Sequence, residues 1–410
     1  MTALTAPAPS LRQDATVIGL VGLAHGISHF SQLLLAPLFP WLKEAFAVGY
    51  AELGFLLTIF FVVSCVVQTL SGFLVDRHGP LPILFGGLAL LGVAAFGFAA
   101  SRNYATLALF SVVAGSGNGV FHPVDYTLLN RRVGKSRLGH AYSVHGITGS
   151  LGWALAPALL VPITLVYSWR MALGCAGGLA FIVMAVLWFN RAPLALETDA
   201  RATAGRVVAP AGDGALAFLR IPAVWMCFAF FLFYAIALSI VQSFAPEAAR
   251  QLHAVPVHLA AICLSVYMVC SAGGMVVGGF LASDPARCER VVGAGLGVAA
   301  AIALVIGFAP IPALAVPVLF GAMGLASGSA SPSRDMLVKR SCPDNATGRV
   351  YGVVYSGLDI GQAIAPLLFG SLMDLHLYTS IWLGLAVVQG VLIVSAFNVG
   401  RVRRTALAAA

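Results

Sequence analysis

Charge is what this sequence has least of. Asp, Glu, Lys and Arg together make up 9% of its 410 residues, against ~25% in soluble domains. A chain so poor in charge cannot coat a folded surface with ionic side chains, which excludes an ordinary water-soluble globule. Its seven cysteines lie nearly all in apolar runs without paired spacing, which excludes a disulfide framework and a zinc signature. A nucleophile elbow, a phosphate-binding loop and a dinucleotide fingerprint are missing, along with strands to carry them. The expectation is therefore a protein that is not an enzyme and holds no cofactor and no resident metal.

What is present is apolar. Hydrophobic residues make up 60% of the chain, with 44 Gly and 21 Pro, and the mean hydropathy is +0.94. Abundant Gly and Pro suit packed, kinked transmembrane helices. Windows of about 20 apolar residues, enough to span a bilayer, recur near 15–42, 50–74, 81–101, 104–130, 137–165, 168–190, 218–245, 256–282, 291–309, 311–338, 348–373 and 378–399. Met1 to Asp14 reads as a polar tail, with neither the charged start nor the cleavage site of a signal peptide.

The chain also repeats itself. Shifting the numbering by 209 superposes Gly115, Gly119, Pro123, Leu128, Arg131, Gly139, Tyr142, Val144, Gly152, Ala154, Ala156 and Pro157 on identical residues between Gly324 and Pro366, without a gap. Gly and Pro hold backbone-specific positions, so such a repeat implies two structurally similar halves. The polar stretch Arg191–Arg220 carries Pro193, Gly205, Pro210 and Gly212 and reads as the connection between them. The expected architecture is an all-α membrane protein of 12 transmembrane helices in two six-helix bundles: residues 1–190, a cytoplasmic linker 191–217, and residues 218–410.

Orientation follows from basic residues. With the amino terminus inside, 19 of the 23 Lys and Arg fall on inner segments, leaving Lys43, Arg102, Arg170 and Arg250 outside. This is the positive-inside pattern, and it puts both termini in the cytoplasm. The formal net charge of +8 is thus a topology signal, with no nucleic-acid partner implied. The expected location is a bacterial inner membrane, with the lipid bilayer as partner and a monomer as the unit.

At the inner end of the second helix, Gly72-Phe-Leu-Val-Asp76-Arg77-His-Gly79 resembles the helix 2–3 loop signature of the major facilitator superfamily. Pro80, Leu81 and Pro82 replace the basic residues usual after its second glycine, and Ser111 stands where proton-driven drug exporters often carry Arg. A narrower resemblance, to the fosmidomycin-resistance branch, rests on four sets of residues. They are His25-x3-His29 with Pro37-Leu-Phe-Pro40, Gln68-x3-Gly72, Gly115-x-Gly117-x3-Phe121-His122-Pro123, and Gly146, Gly149, Gly152 and Pro157. These marks cover helices 1, 2, 4 and 5 and are weaker in the carboxyl half. The resemblance implies two bundles rocking about a path lined by helices 1, 2, 4 and 5 against 7, 8, 10 and 11, and export of small toxic compounds.

The residues themselves suggest where that path runs. His25, His29 and Gln32 are spaced i, i+4, i+7 and share one helical face. Polar groups inside a membrane usually face a cavity, although helix–helix hydrogen bonding is the competing role. A metal site on His25, His29, His122 and His145 lacks an acidic or thiolate ligand with matching spacing. Asn118, His122 and Asp125 repeat the geometry in helix 4, where Pro123 deprives the Gly119 carbonyl of its helical donor. Asp125 lies six residues before Arg131, about 9 Å from the helix end at 1.5 Å per residue, a depth that suits a gate. In the duplicated frame Arg77 stands opposite Asp284 and Asp125 opposite Arg334. That predicts Arg77–Asp125 and Asp284–Arg334 gate salt bridges, with Asp76 beside them. Tyr355, Asp359 and Gln362 share a face of helix 11, and Asp359 reads as the only carboxyl group near mid-membrane, the residue type that relays protons.

The expected site therefore holds substrate with His25, His29, Gln32, Asn118, His122, His145, Tyr355 and Gln362, and couples to protons through Asp359, His29 and His122. The expected function is proton-coupled efflux of a small polar or anionic toxic compound. Proton-coupled import of an organic anion or nutrient is the alternative, and metal-ion transport a further one.

Overall fold

The helices start and stop where local chemistry tells them to. A computed structural model describes residues 10–134, 137–196, 222–281, 287–341 and 348–408. Helix α1 (Leu11–Gln32) opens with a capping box: Ser10 Oγ accepts from the Gln13 amide and Gln13 Oε1 from the Ser10 amide, satisfying donors that the first turn leaves unpaired. Leu11 therefore begins a helix, and Asp14 is buried, paired with Arg137 at 2.5 Å. This corrects the reading of Asp14 as part of a polar tail. A 3₁₀ turn (Ala36–Leu38) leads into α2 (Phe39–Phe46), so the first apolar window is interrupted between Gln32 and Phe39.

Helix α3 (Tyr50–His78) ends at Gly79, whose φ of +81° suits glycine. Proline at the first position opens α4 (Pro80–Ala100). The fourth window divides into α5 (Tyr104–Asn118) and α6 (Phe121–Arg132). Helices α7 (Leu138–Val166) and α8 (Trp169–Phe189) complete the first bundle. A 3₁₀ turn (Ala192–Leu194) follows, with Leu194 buried and the Ala195 carbonyl accepting from Arg132. The second bundle comprises α9 (Pro222–Ser243), α10 (Ala245–His253), α11 (Val257–Leu281), α12 (Cys288–Phe308), α13 (Ala315–Ser341), α14 (Gly348–Asp374) and α15 (Tyr378–Ala408). Among the described residues ten helical segments are long and apolar enough to cross a membrane. Helices α13 and α14 are 27 residues each and carry more polar groups. Most of the connection 191–217 lies outside the described residues.

The duplication is physical. A β-carbon at Gly115 would strike the Phe60 carbonyl, and one at Gly119 the Ser64 carbonyl; Gly324 and Gly328 meet the Tyr267 and Ser271 carbonyls in the same way. The repeated glycines let α5 lie on α3, and α13 on α11, at backbone distance. The repeat extends further than identity reveals. Ala47 and Ala254 end α2 and α10 in the left-handed region, at φ 52° and 48°, and Val48 and Val255 each donate back to the fifth residue before them at 3.2 Å.

The halves meet along α3 with α14 and α7 with α11. Thr58 Oγ1 donates to the Ala363 carbonyl (2.6 Å), and Ser265 Oγ to the Ala154 carbonyl (2.8 Å). Ala154 and Ala363 are themselves a repeat pair, so these are two copies of one bond. At one end of this seam Asp374 caps the start of α3, accepting from the Tyr50 and Ala51 amides at 2.7 and 2.8 Å.

Candidate functional site

The break between α5 and α6 builds the site. Pro123 cannot donate to the Gly119 carbonyl; Ser71 Oγ reaches that oxygen instead, at 3.2 Å. The interruption places Asn118 at the end of α5, and His122 and Asp125 one turn apart on α6. Asp125 is wholly buried. Its Oδ2 lies 3.0 Å from His25 Nδ1 on α1 and 3.1 Å from His145 Nε2 on α7. An ionised carboxylate only accepts, so both ring nitrogens donate to it. The His25 and His145 rings stack with centroids 3.5 Å apart, and His29 lies 4.2 Å from both the His25 ring and the Trp153 ring. Gly149 on α7 makes room: a β-carbon there would come within 2.7 Å of His29 Nδ1 and 3.0 Å of His25 Nε2.

Beside the imidazoles lies an amide node. Asn118 Oδ1 accepts from Ser28 Oγ (2.9 Å) and Gln32 Nε2 (3.2 Å), while Asn118 Nδ2 donates to Ser64 Oγ (2.9 Å). Gln32 Oε1 accepts from the Trp153 indole at 2.9 Å. Asn118 thus pins α1, α3 and α5 together, the helix-bonding role weighed from sequence.

Across the seam, Gln68 joins the two halves. His122 Nδ1 donates to Gln68 Oε1 (2.9 Å), and Gln68 Nε2 donates to Asp359 Oδ2 on α14 (3.3 Å). Three residues on, Gln362 Nε2 donates to Gln242 Oε1 at 3.2 Å. Gln242 lines a cavity of about 290 Å³ between the halves, with Glu44, Pro157, Glu247 and Arg250 among its walls.

Several expectations need correction. Arg77 is exposed at the end of α3 and does not pair with Asp125, because Asp125 faces α1 and α7, where two imidazoles meet it. Nor does Asp359 stand alone as a mid-membrane carboxyl group: His25, the partner of Asp125, is near the middle of the Leu11–Phe46 span. The sequence objection that no acidic ligand accompanies the histidines fails for the same reason. Arg334 lies over the Tyr234 ring, 4.1 Å from its centroid; Asp284, its expected partner, lies outside the described residues, as do the side chains of Asp76 and Tyr355. Ser28, Ser64 and Trp153 were missed, since a lone polar residue in an apolar helix leaves no spacing signal. The sequence marks Gln68 only as part of the Gln68-x3-Gly72 motif.

Chemically, this is a set of buried donors, acceptors and potential metal ligands inside an all-helical chain with ten helical segments, among the described residues, long and apolar enough to cross a membrane, the type of site a solute-handling membrane protein carries at the junction of its halves. Comparison with known proteins agrees with that class. The profile of the Major Facilitator Superfamily matches residues 21–322 and 257–408, and the chain belongs to this family. It is similar to the fosmidomycin resistance protein of Escherichia coli strain K12, 25% identical over 43% of this chain and 41% of that protein. It is also similar to a multidrug resistance protein B homolog of Mycobacterium tuberculosis, 30% identical over 35% of this chain and 26% of that one, and to the membrane sensor protein UhpC of Salmonella typhimurium, 25% identical over 41% and 38%. The chain therefore spans less than half the length of these relatives. Its fold matches the crystal structure of a bacterial homolog of the human lysosomal transporter Spinster, with a TM-score of 0.78 at 14% identity, over 96% of this chain and 98% of that one.

Proposed function

We propose that this protein is a secondary active transporter of the bacterial inner membrane, exporting a small polar or anionic toxic compound in exchange for protons by alternating access. The observation that carries the reading is the hydrogen-bonded line His122–Gln68–Asp359, which runs from the imidazole cluster of one half to a carboxyl group of the other. Groups that must respond to one another during transport gain from such a direct link, because rocking the halves breaks and remakes it. The histidines supply hydrogen bonds to the cargo, and Asp359 exchanges the proton. Similarity to resistance proteins favours export; both termini lie in the cytoplasm by the basic-residue pattern.

The test is a growth screen of a deletion strain against chemically diverse toxic compounds, with radiolabelled accumulation measured for each hit. Greater accumulation in the deletion strain, reproduced in the complemented strain when the proton gradient is dissipated, is the expected result. Accumulation that instead requires the protein identifies an importer, and a panel without any difference removes the export reading.

A further inference from the structure

The Asp125 cluster has the composition and spacing of a transition-metal site. We propose that His25, His145 and Asp125 bind a divalent ion of the zinc type.

The argument begins with distances. A tetrahedral ion held at 2.0–2.1 Å by nitrogen and oxygen has ligand–ligand edges of about 3.3–3.4 Å. Two edges are nearly in place already, His25 Nδ1 to Asp125 Oδ2 at 3.0 Å and His145 Nε2 to Asp125 Oδ2 at 3.1 Å. One ligand atom from each of these three residues falls within a mutual separation of 4.8 Å, and so does one from each of His25, His29 and His122. Admitting an ion means shifting each ring proton to the other nitrogen of its imidazole, since the neutral ring is the metal ligand, and expanding the triad by a few tenths of an ångström.

Charge selects between the two triads. A dication in a water-poor interior requires an anion beside it, and Asp125 is the carboxylate in direct contact with these rings. Unused capacity points the same way: Asp125 Oδ1 is buried without a hydrogen-bond partner among the described residues. Imidazole and carboxylate together suit zinc and its first-row neighbours rather than calcium or magnesium, which take all-oxygen shells. The transport reading places proton exchange at Asp359 and gives the histidines to the cargo; a metal would occupy two of those histidines, and metal titration reads the site apart from transport.

The experiment uses the full-length protein in detergent, stripped with a chelator and titrated with Co2+ and then Zn2+. One equivalent of Co2+ should bind with the strong visible absorption of tetrahedral nitrogen–oxygen coordination and be displaced by Zn2+. Asp125→Asn and His145→Gln should each weaken binding at least about tenfold, while His258→Gln, at an exposed histidine on α11, should not. His145→Cys adds a readout that a structural role would not move: a thiolate-to-Co2+ charge-transfer band should appear. Wild-type protein that binds neither ion overturns the proposal. So does undiminished binding by a monodisperse Asp125→Asn protein, or a His145→Cys protein that binds Co2+ without the new band.

Discussion

The two halves share a backbone plan and differ in what they bury at its centre. A β-carbon at Gly152 would strike the Gly26 carbonyl, and one at Gly361 the Leu232 carbonyl, so α1 and α9 correspond at an offset of 206. By that offset Phe231 is the counterpart of His25, and Arg334 is the counterpart of Asp125 in the repeat frame. The pairs occupy equivalent places. His25 donates to the Asp125 carboxylate at 3.0 Å, whereas the Arg334 guanidinium lies 5.9 Å from the Phe231 ring centroid and 4.1 Å from that of Tyr234. One half buries an anion against imidazoles, and the other sets a cation over aromatic rings. Duplication kept the glycines that allow close helix packing and let the charge at the shared position change sign. Side chains therefore decide what each half does, while the repeat decides where it does it.

The largest effect should come from breaking the anionic pair. Asp125→Ala leaves two buried ring N–H groups without an acceptor and should cost about 3 kcal/mol, read as a fall in the unfolding midpoint in detergent. Arg334→Ala, in the cationic counterpart, should cost nearer 1 kcal/mol, the scale of a cation–π contact. Equal losses would mean that the two positions are energetically alike and the contrast between the halves is only nominal.

A middle-sized effect tests the likeness of the halves. Thr58→Ala and Ser265→Ala each delete one copy of the repeated cross-seam bond, and each should cost about 1 kcal/mol. A pair of unequal values would show that the seam is tighter on one side. The smallest effect has the opposite sign. Ala47 and Ala254 hold left-handed backbone, so Ala47→Gly and Ala254→Gly should each stabilise by up to about 1 kcal/mol, again in parallel.

The sequence disclosed the architecture because hydropathy and the Gly–Pro repeat are local signals written along one strand of text. Even the freed Gly119 carbonyl was legible from Pro123, though not the Ser71 hydroxyl that answers it. Helical spacing correctly grouped His25 with His29, and His122 with Asp125, on their own faces. It could not say which faces meet, since that depends on how α1, α6 and α7 pack. Asp125 was accordingly assigned to the nearest cation of the duplicated frame, Arg77, when its partners are histidines 100 and 20 residues away. Gln68 was legible as a motif residue but not as a bridge, for its acceptor and donor lie on different helices. The end of α2 escaped notice because alanine, unlike glycine, does not advertise a left-handed turn.

The central claim is that the imidazole cluster of one half works with Asp359 of the other, linked through Gln68. Its most direct test is Asp359→Asn in proteoliposomes, with a compound identified by the growth screen. Asn keeps the volume and still bonds to Gln68 but carries no titrating proton. Uphill transport driven by a proton gradient should disappear, while counterflow exchange of labelled for unlabelled compound continues. A folded Asp359→Asn protein that still transports uphill at the wild-type rate would contradict the account.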